Sequence, residues 1–275
     1  MEEYDMATSL VAGTLIAFIL GLMIGSFLNV VIYRTPRGEN IAWPGSHCPH
    51  CGENLRWYHN IPLLSWLALH GRCAFCTEKI SIRYPLVELL NALLWAVLYL
   101  RIVAVSSSTG WPQMPMLLHF TMIAGTFSAL LALSMIDFEY FAVPDSVNLF
   151  ALAAALLAAG AQSWEAGTWS PLLTAARDTV LAAGGLWALA WLIGKVTGKE
   201  AMGGADVIVA GTMAALLGFP GFFLALFAAA VLAIVPSLLA RDTMVPFVPF
   251  LSLGTLIVYL FETPLLQALD RYLYG

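Results

Sequence analysis

Two aspartates stand at the edges of long apolar segments, where a bilayer makes a carboxylate costly. Asp137 ends the apolar run 122–136, and Asp206 begins the run 207–219 after a Gly-Gly-Ala sequence. Acids at the margins of membrane helices usually face a polar cavity or another charge. Two carboxyls held close together share a proton and titrate as a coupled pair, which suits general acid and base chemistry. The pattern suggests an aspartyl dyad; the alternative is that each acid ends its helix near water, which suits Asp206 at a helix N-terminus.

All four cysteines of the chain lie in one polar loop, as two Cys-x-x-Cys pairs. Cys48 and Cys51 form the first pair, Cys73 and Cys76 the second, and twenty-one residues separate the pairs. Two such pairs complete a tetrahedral four-thiolate site, which predicts a structural Zn²⁺ because no position stays open for water. Disulfides are the alternative, but they rarely persist on the reducing cytoplasmic side of a membrane. Nearby histidines are either substitute ligands or ordinary loop residues: His47, His50, His59 and His70.

The composition is that of an integral membrane protein. The chain has 275 residues, 60% of them hydrophobic and only 11% charged, with a mean hydropathy of +0.84. A spanning helix needs roughly 20 apolar residues. We therefore predict an all-α, polytopic bundle of about eight transmembrane helices with a cytoplasmic four-cysteine zinc-binding loop. The predicted spans are 9–33, 85–105, 116–137, 146–163, 172–193, 205–219, 221–240 and 245–262.

The distribution of basic residues predicts the orientation. Acids precede the first apolar stretch, which also lacks a basic start and a small-residue cleavage site, so we expect a retained anchor with its N-terminus outside. The loops 34–84, 138–145, 194–204 and 241–244 are then cytoplasmic. Nine of the twelve basic residues lie in these loops, in agreement with the positive-inside rule: Arg34, Arg37, Arg56, Arg72, Lys79, Arg83, Lys195, Lys199 and Arg241. The C-terminus is expected outside.

Composition divides the chain into two regions. Residues 1–84 hold the first transmembrane helix and the cysteine loop, and residues 85–275 form a multi-helix membrane region. Glu88 and Asn91, three residues apart at the start of the second region, share one helix face and are expected to point toward something polar. The alternative is that Glu88 pairs with an arginine at the membrane surface.

Four sequence segments occur in an order that resembles one known family. They are Gly25-Ser26-Phe27-Leu28-Asn29-Val30-Val31-Ile32-Tyr33-Arg34, the two Cys-x-x-Cys pairs, Ile136-Asp137 with Pro144-Asp145, and Glu200-Ala201-Met202-Gly203-Gly204-Ala205-Asp206-Val207. Together they resemble the bacterial type IV prepilin peptidases, bifunctional leader peptidases and N-methyltransferases of the GxGD aspartyl protease type. The resemblance covers the chain from Gly25 to the segment 246–249.

The resemblance implies an activity and its partners. Asp137 and Asp206 would be the catalytic pair, and the substrates would be type IV prepilins or type II secretion pseudopilins, cut after a short basic leader. The region 1–84 would be linked to methylation of the new N-terminus with S-adenosylmethionine, although no glycine-rich nucleotide loop supports this independently. The enzyme would lie in the bacterial inner membrane, among lipid, with its active site and zinc loop facing the cytoplasm. No nucleic-acid partner is expected.

Three positions depart from the family pattern. Ala205 replaces the second glycine of GxGD, Ile208 replaces the usual lysine, and Val248 stands where a glycine is common. Ala205 is a mild change unless the position needs a positive φ, which costs about 1 kcal/mol or more with a Cβ. The missing lysine removes a positive charge near the aspartate, so a different pH optimum or substrate preference is expected.

A small ion-coupled transporter and a noncatalytic zinc-knuckle scaffold are the other hypotheses for the function of the chain.

Overall fold

The computed structural model describes residues 2–104, 113–198, 203–239 and 245–274, without the side chains of 2–7, 104 and 262–274. Across these ranges the chain is helical and has no β-sheet, which confirms the predicted all-α membrane fold. Lys199, the motif residues 200–202 and Arg241 fall outside the described residues.

Six described helices are long and apolar enough to cross a membrane, and a shorter apolar helix covers Val248–Phe261. The exact number of eight spans is therefore not confirmed. The six are Thr8–Arg37, Arg83–Val103, Met114–Tyr140, Asp145–Ala166, Ser170–Thr197 and Gly204–Leu239. Large apolar side chains such as Leu15, Val180 and Phe227 are exposed on these helices, as lipid-facing positions require.

Contacts divide the chain into two compact units, Met1–Pro112 and Gln113–Gly275. Composition places the boundary near residue 84 instead, because the change from polar loop to apolar helix occurs there. The helix that follows residue 84 packs within the first unit, which moves the structural division to the next polar connection.

In the first unit, α1 (Glu2–Arg34) packs along α3 (Arg83–Tyr99), which continues as a π-helical turn, Leu100–Ala104. Gly21 and Gly25 lie one turn apart at this contact. A Cβ added at Gly21 would lie 2.7 Å from the Cα of Ala92, and one at Gly25 would lie 2.7 Å from the Cα of Glu88. Only glycine permits so close an approach of the two backbones.

The chain between α1 and α3 is polar and compact. It contains 3₁₀ turns at Thr35–Arg37 and Trp57–Asn60 and the short helix α2 (Leu64–Ala68). Arg34, at the end of α1, is buried and donates to the carbonyls of Asn40 at 3.0 Å and Gly45 at 3.3 Å. These bonds hold the start of the loop against the end of the helix.

The second unit is a bundle of five helices, and its helix ends position the candidate catalytic acids. α4 (Met114–Tyr140) packs on α5 (Asp145–Ala166) and α8 (Val248–Tyr274). α7 (Gly204–Leu239) contacts α5, α6 (Ser170–Thr197) and α8. A short connection joins α4 to α5, with Phe141 in the left-handed region at φ 50°.

A break inside α7 lies close to the boundary between the predicted spans 205–219 and 221–240. Gly218 adopts φ 68° and ψ 173°, and Pro220 follows it. The buried Asp178 of α6 accepts a hydrogen bond from the backbone N–H of Phe219 at 3.1 Å and pairs with Arg177 at 2.7 Å. An acid from a neighbouring helix thus satisfies a donor that the break exposes.

Candidate active site and metal centre

The two Cys-x-x-Cys pairs fold as matching knuckles. In the first, the N–H of Cys48 donates to Glu53 and that of Gly52 donates to Cys48. In the second, the N–H of Cys73 donates to Glu78 and that of Thr77 to Cys73, at the equivalent positions. Gly52 and Thr77, each directly after the second cysteine of its pair, both have a positive φ, at 72° and 59°.

The four thiol sulfurs form one cluster that fits a tetrahedral metal ion. They lie within 4.8 Å of one another, and none of the four cysteines is in a disulfide. The Sγ atoms of Cys48 and Cys76 are 3.8 Å apart, and a Zn²⁺ with four sulfurs at its usual distance needs an edge of about 3.8 Å. The cluster comprises the predicted set and no histidine: Cys48, Cys51, Cys73 and Cys76.

The pKa values of the thiols indicate that a bound cation would stabilise their ionised forms. Backbone N–H groups of Cys76 and Phe75 lower the pKa of the Cys73 thiol to about 7. For Cys76, the N–H of Glu78 lowers the pKa, but desolvation and the three neighbouring thiols together raise it to about 12. Four thiolates therefore cannot coexist without a cation among them. A divalent metal ion would supply that cation.

Asp137 lies at the C-terminal end of α4 and is buried, with 7% of its surface exposed. Its Oδ2 accepts a hydrogen bond from the backbone N–H of Val248 at 3.0 Å, and the N–H of Phe247 also donates to the carboxylate. Both donors belong to the N-terminus of α8, where backbone N–H groups lack helical partners. The carboxylate thus joins the end of α4 to the start of α8.

Asp206 lies in the first turn of α7, on a half-buried site. Its carboxylate accepts a hydrogen bond from the backbone N–H of Gly203, the residue before the helix. An acid at the third helical position that reaches back to the capping residue is the second half of a capping box. This contact fixes the side chain close to the helix terminus.

The two aspartates are close enough for their charges to interact. They meet because the end of α4 and the starts of α5, α7 and α8 converge at one end of the second unit. Asn148 of α5 completes the convergence: its Nδ2 donates to the carbonyl of Ala205 at 2.8 Å. Two carboxyls in this arrangement can share a proton and act as a general acid and base.

The three departures from the family pattern have local explanations. Ala205 lies in the first turn of α7 with a negative φ, so its Cβ is not strained. Val248 contacts Asp137 through its backbone N–H, a donor that any residue except proline supplies. Ile208, one turn into α7, places an apolar side chain where a lysine would bring a charge.

Other acids near the pair have separate positions. Asp145 is exposed in the first turn of α5, directly after Pro144. Glu139 is exposed near the end of α4. Asn148 and Asp178 have no role predicted from the sequence. The position of Asn148 is indicated in the sequence only by its apolar neighbours and by the Pro-Asp pair that starts the helix. Asp178 is indicated only as a single acid inside an apolar stretch.

Glu88 and Asn91 face polar partners, as their spacing predicts. Glu88 accepts a hydrogen bond from the backbone N–H of Leu63 at 2.8 Å and a bond from the Ser26 side chain. Asn91 donates to the carbonyl of Gly21 at 2.8 Å. None of the cations in the described ranges forms an ion pair with Glu88, so the arginine alternative is not formed.

Two family models match the chain in the order of its two units. The Bacterial Peptidase A24 N-terminal domain matches residues 19–102, and the Type IV leader peptidase family matches residues 124–238. The first match contains the cysteine cluster, and the second contains both aspartates. No solved structure matches the chain.

Curated relatives match over nearly the full length of both chains. The type 4 prepilin-like proteins leader peptide-processing enzyme of Escherichia coli O78:H11 is 36% identical over 261 residues, 87% of this chain and 90% of the relative. The prepilin leader peptidase/N-methyltransferase of Pseudomonas putida is 35% identical, covering 87% of each chain. Its counterpart in Stutzerimonas stutzeri is 34% identical over 90% of this chain and 91% of the relative. The chain therefore belongs to the type IV prepilin leader peptidase family.

Proposed function

We propose that the chain is a bifunctional enzyme that removes the leader of type IV prepilins or type II secretion pseudopilins and N-methylates the new N-terminus. The observation that carries the peptidase part is the convergence of helix ends that brings Asp137 within range of the charge of Asp206. The names of the relatives support both activities and the prepilin substrate.

The catalytic step requires one ionised and one protonated aspartate. The ionised carboxylate takes a proton from a water, whose oxygen attacks the scissile carbonyl carbon, while the protonated carboxyl donates a hydrogen bond to the carbonyl oxygen. The tetrahedral intermediate then collapses: the C–N bond breaks, its electrons go to nitrogen, and a carboxyl of the pair protonates the leaving amine. The new peptide ends are a carboxylate on the leader and a free amine on the pilin. No covalent enzyme intermediate forms.

The four cysteines are proposed to hold a structural Zn²⁺. Cys48, Cys51, Cys73 and Cys76 fill all four positions of a tetrahedral site, so the ion would fold the loop and leave no position for water. The matching backbone bonds of the two knuckles support this role, because they orient the sulfurs toward a common centre. The donor set of four soft thiolates favours zinc among the common divalent ions.

Methylation is proposed for the region that contains the cysteine loop, residues 1–84 together with α3, which packs on it in the first unit, and the peptidase for the remainder of residues 85–275. S-adenosylmethionine, when bound, supplies an electrophilic methyl group on a sulfonium. That methyl group would be transferred to the free N-terminal amine of the pilin. Asn29 Oδ1, a buried acceptor with no partner among the described residues, supports a polar ligand in this region.

The protein is a multi-pass membrane protein, and we propose that it lies in the bacterial inner membrane with the dyad and the cysteine loop at the cytoplasmic face. The positive-inside rule supports this orientation, since most basic residues fall in loops assigned to the cytoplasm. A prepilin presents a basic leader in the cytoplasm and an apolar helix in the bilayer, so a cut between them needs the acids at this face. Lipid surrounds the exposed apolar helix faces.

The test is mass spectrometry of a prepilin incubated in lipid with the wild type and with Asp137→Asn and Asp206→Asn, with and without S-adenosylmethionine. Asparagine keeps an oxygen to accept the backbone N–H groups at α8 and Gly203, but it cannot exchange a proton. Loss of a general acid or base typically costs about 10²- to 10⁴-fold in rate. We expect each variant to lose leader cleavage by at least that factor.

Asp178→Asn is the matched control. Asp178 is also a buried acid that accepts a backbone N–H at a helix break in the same unit, but it lies beside Phe219 and not beside the pair. The variant should melt at a lower temperature and still cleave. Equal loss of cleavage in all three variants would indicate a structural role for the pair and would favour the scaffold hypothesis, as would a folded wild type that cuts no prepilin.

A further inference from the structure

A cavity of about 390 Å³ lies in the first unit and has no part in the peptidase mechanism. It is bounded by α1, the start of α3 and the polar loop between them, and its lining includes Cys48 and Cys73 of the metal-binding cluster. Pockets that bind small molecules usually have volumes of about 300–1,000 Å³. The cavity therefore has the size of a site for a small ligand.

A buried carboxylate lines this cavity without a cationic partner. Glu88 is 8% exposed, and its carboxylate accepts from the N–H of Leu63 at 2.8 Å and from the side chain of Ser26. No described cation is within ion-pair distance of it. A buried charge that has hydrogen bonds but no counter-ion is costly, and a bound cation or a set of ligand donors would reduce that cost.

A second acceptor lies beside Glu88. The Nδ2 of Asn29 donates to the carbonyls of Tyr84 at 3.1 Å and Gly25 at 3.4 Å, which fixes the amide with its Oδ1 on the other side. That Oδ1 is buried and has no hydrogen-bond partner among the described residues. Asn29 and Glu88 both line the cavity, and Gly25, one turn before Asn29 on α1, packs against the backbone of Glu88. Together they offer two acceptors to the donors of a ligand.

The other side chains that line the cavity can bind an aromatic ring and a carboxylate group of a ligand. Trp66 is held in place by a hydrogen bond from its Nε1 to the carbonyl of Ile80 at 3.2 Å, and Tyr33 and Tyr84 also line the cavity. Lys79 and Arg34 contribute positive charge to the lining. Aromatic faces bind flat bases and cations, and a basic residue binds a carboxylate.

We propose that this cavity binds the S-adenosylmethionine used for methylation, with Glu88 and the Oδ1 of Asn29 accepting from its ammonium and hydroxyl groups. This inference rests on the methyltransferase part of the proposed function. The ligand has a sulfonium, an ammonium, ribose hydroxyls, a flat base and a carboxylate, which match the acceptors, the aromatic rings and the basic residues of the lining. The N-terminal amine of a pilin, as an alternative occupant, would bind the two acceptors but would leave the aromatic rings and the basic residues of the lining without partners.

The test measures binding directly, without methyl transfer. Calorimetry with S-adenosylmethionine on the zinc-loaded, full-length protein compares the wild type with Glu88→Gln and Val30→Trp. Glu88→Gln keeps an acceptor for the Leu63 N–H but removes the charge, and Val30→Trp fills part of the cavity. We expect Kd to rise about tenfold or more for Glu88→Gln, since hydrogen bonds to charged groups are the stronger ones. For Val30→Trp we expect no measurable binding.

The control is Asn91→Ser, which removes a buried polar contact between α1 and α3 one turn beyond Glu88 and outside the lining. Its Kd should match the wild type. A second measurement does not depend on any variant: an azidoadenine analogue of S-adenosylmethionine, irradiated on the wild type, should label peptides within residues 26–88. Melting temperature and zinc content verify that each variant is folded.

The outcomes separate this inference from the proposed function. Wild-type Kd values in both cavity variants, or labelled peptides only beyond residue 112, would overturn the assignment of the cavity while the wild type still methylates a pilin. A wild type that cleaves prepilin but neither binds the methyl donor nor adds a methyl group would overturn the methyltransferase proposal as well. Weakened binding confined to the cavity variants, with labels at the lining, supports the site.

Discussion

At the scale of single residues, each candidate catalytic carboxylate is a proposed acid or base and also accepts backbone N–H groups at the start of a helix. Asp137 accepts backbone N–H groups from the start of α8, and Asp206 accepts the N–H of Gly203 at the start of α7. Removing the Asp137 side chain would leave the buried N–H of Val248 unpaired, at about 1–3 kcal/mol, and removing the Asp206 side chain would break the capping contact with Gly203. Alanine variants therefore mix loss of chemistry with loss of structure, whereas asparagine variants separate them.

Ala205 gives a prediction at the same scale. Ala205 has a helical backbone, and its carbonyl accepts a hydrogen bond from Asn148. Neither of these features depends on the absence of a Cβ. Ala205→Gly, which restores the family glycine, should change kcat for leader cleavage by less than about twofold and lower stability by up to about 1 kcal/mol. Steady-state cleavage and thermal unfolding measure the two quantities. A large gain in kcat would show that the Cβ obstructs the substrate.

At the scale of elements, the second unit places the site where four helix ends meet. Helix N-termini present unpaired N–H groups and positive partial charge, so three of them near two carboxylates form a favourable environment for the ionised member of the pair. Asn148 fixes the position of α7 in this arrangement by its bond to the Ala205 carbonyl, one residue before Asp206. It is therefore a positioning residue and not a catalytic one.

Asn148→Ala should lower kcat for leader cleavage with little change in KM. The lost hydrogen bond is worth about 0.5–1.5 kcal/mol, which corresponds to roughly a 2- to 13-fold fall if it acts wholly on the position of Asp206. Gln162→Ala is the control, because Gln162 is also on α5 and contacts His119 of α4 far along the helix from Asp206. A rise in KM with unchanged kcat, or equal effects of both variants, would contradict the positioning role.

Sequence patterns could predict the parts of this site that depend on residue type and flanking chain. An acid at the edge of an apolar run and two closely spaced cysteine pairs are local signals, and they led to Asp137, Asp206 and the cysteine cluster. Asn148 and Asp178 have weaker local signals, and their partners, 57 and 41 residues away along the chain, cannot be identified from the flanking sequence. The boundary between the predicted spans 205–219 and 221–240 lies close to the break at Gly218, but apolar residues on both sides hide how the chain turns there.

At the scale of the whole molecule, the two units differ in what holds them together. The second unit is stabilised by helix packing in an apolar solvent, with polar bonds at helix ends, at the break in α7 and at a few interhelical contacts such as that of Thr179 with Gly211. The first unit adds a polar loop of about 45 residues between α1 and α3 that has only short helices of its own. Without a metal, few buried apolar groups hold that loop in one shape.

Metal retention by this loop should depend on pH in a defined direction. Thiols must lose their protons to bind a metal ion, so protons compete with it as the pH falls. With no metal bound, the pKa of Cys73 is about 7 and that of Cys76 is about 12, so at least one proton must leave as the ion binds at neutral pH. Affinity should therefore fall by about tenfold per pH unit for each proton displaced, and the loss should steepen below pH 7, where Cys73 is also protonated.

Zinc release into a colorimetric chelator between pH 8 and pH 5 measures this dependence, and limited proteolysis reports the structural result. Metal loss should expose cleavage sites between residues 38 and 82, while fragments from α4 to α8 stay intact, because the second unit contains none of the four ligands. Cys76→Ser should release zinc at a higher pH than the wild type, since three thiolates bind the ion less tightly than four. Retention that does not change over this pH range would contradict a thiolate site, and cuts throughout both units would contradict a metal that stabilises the first unit alone.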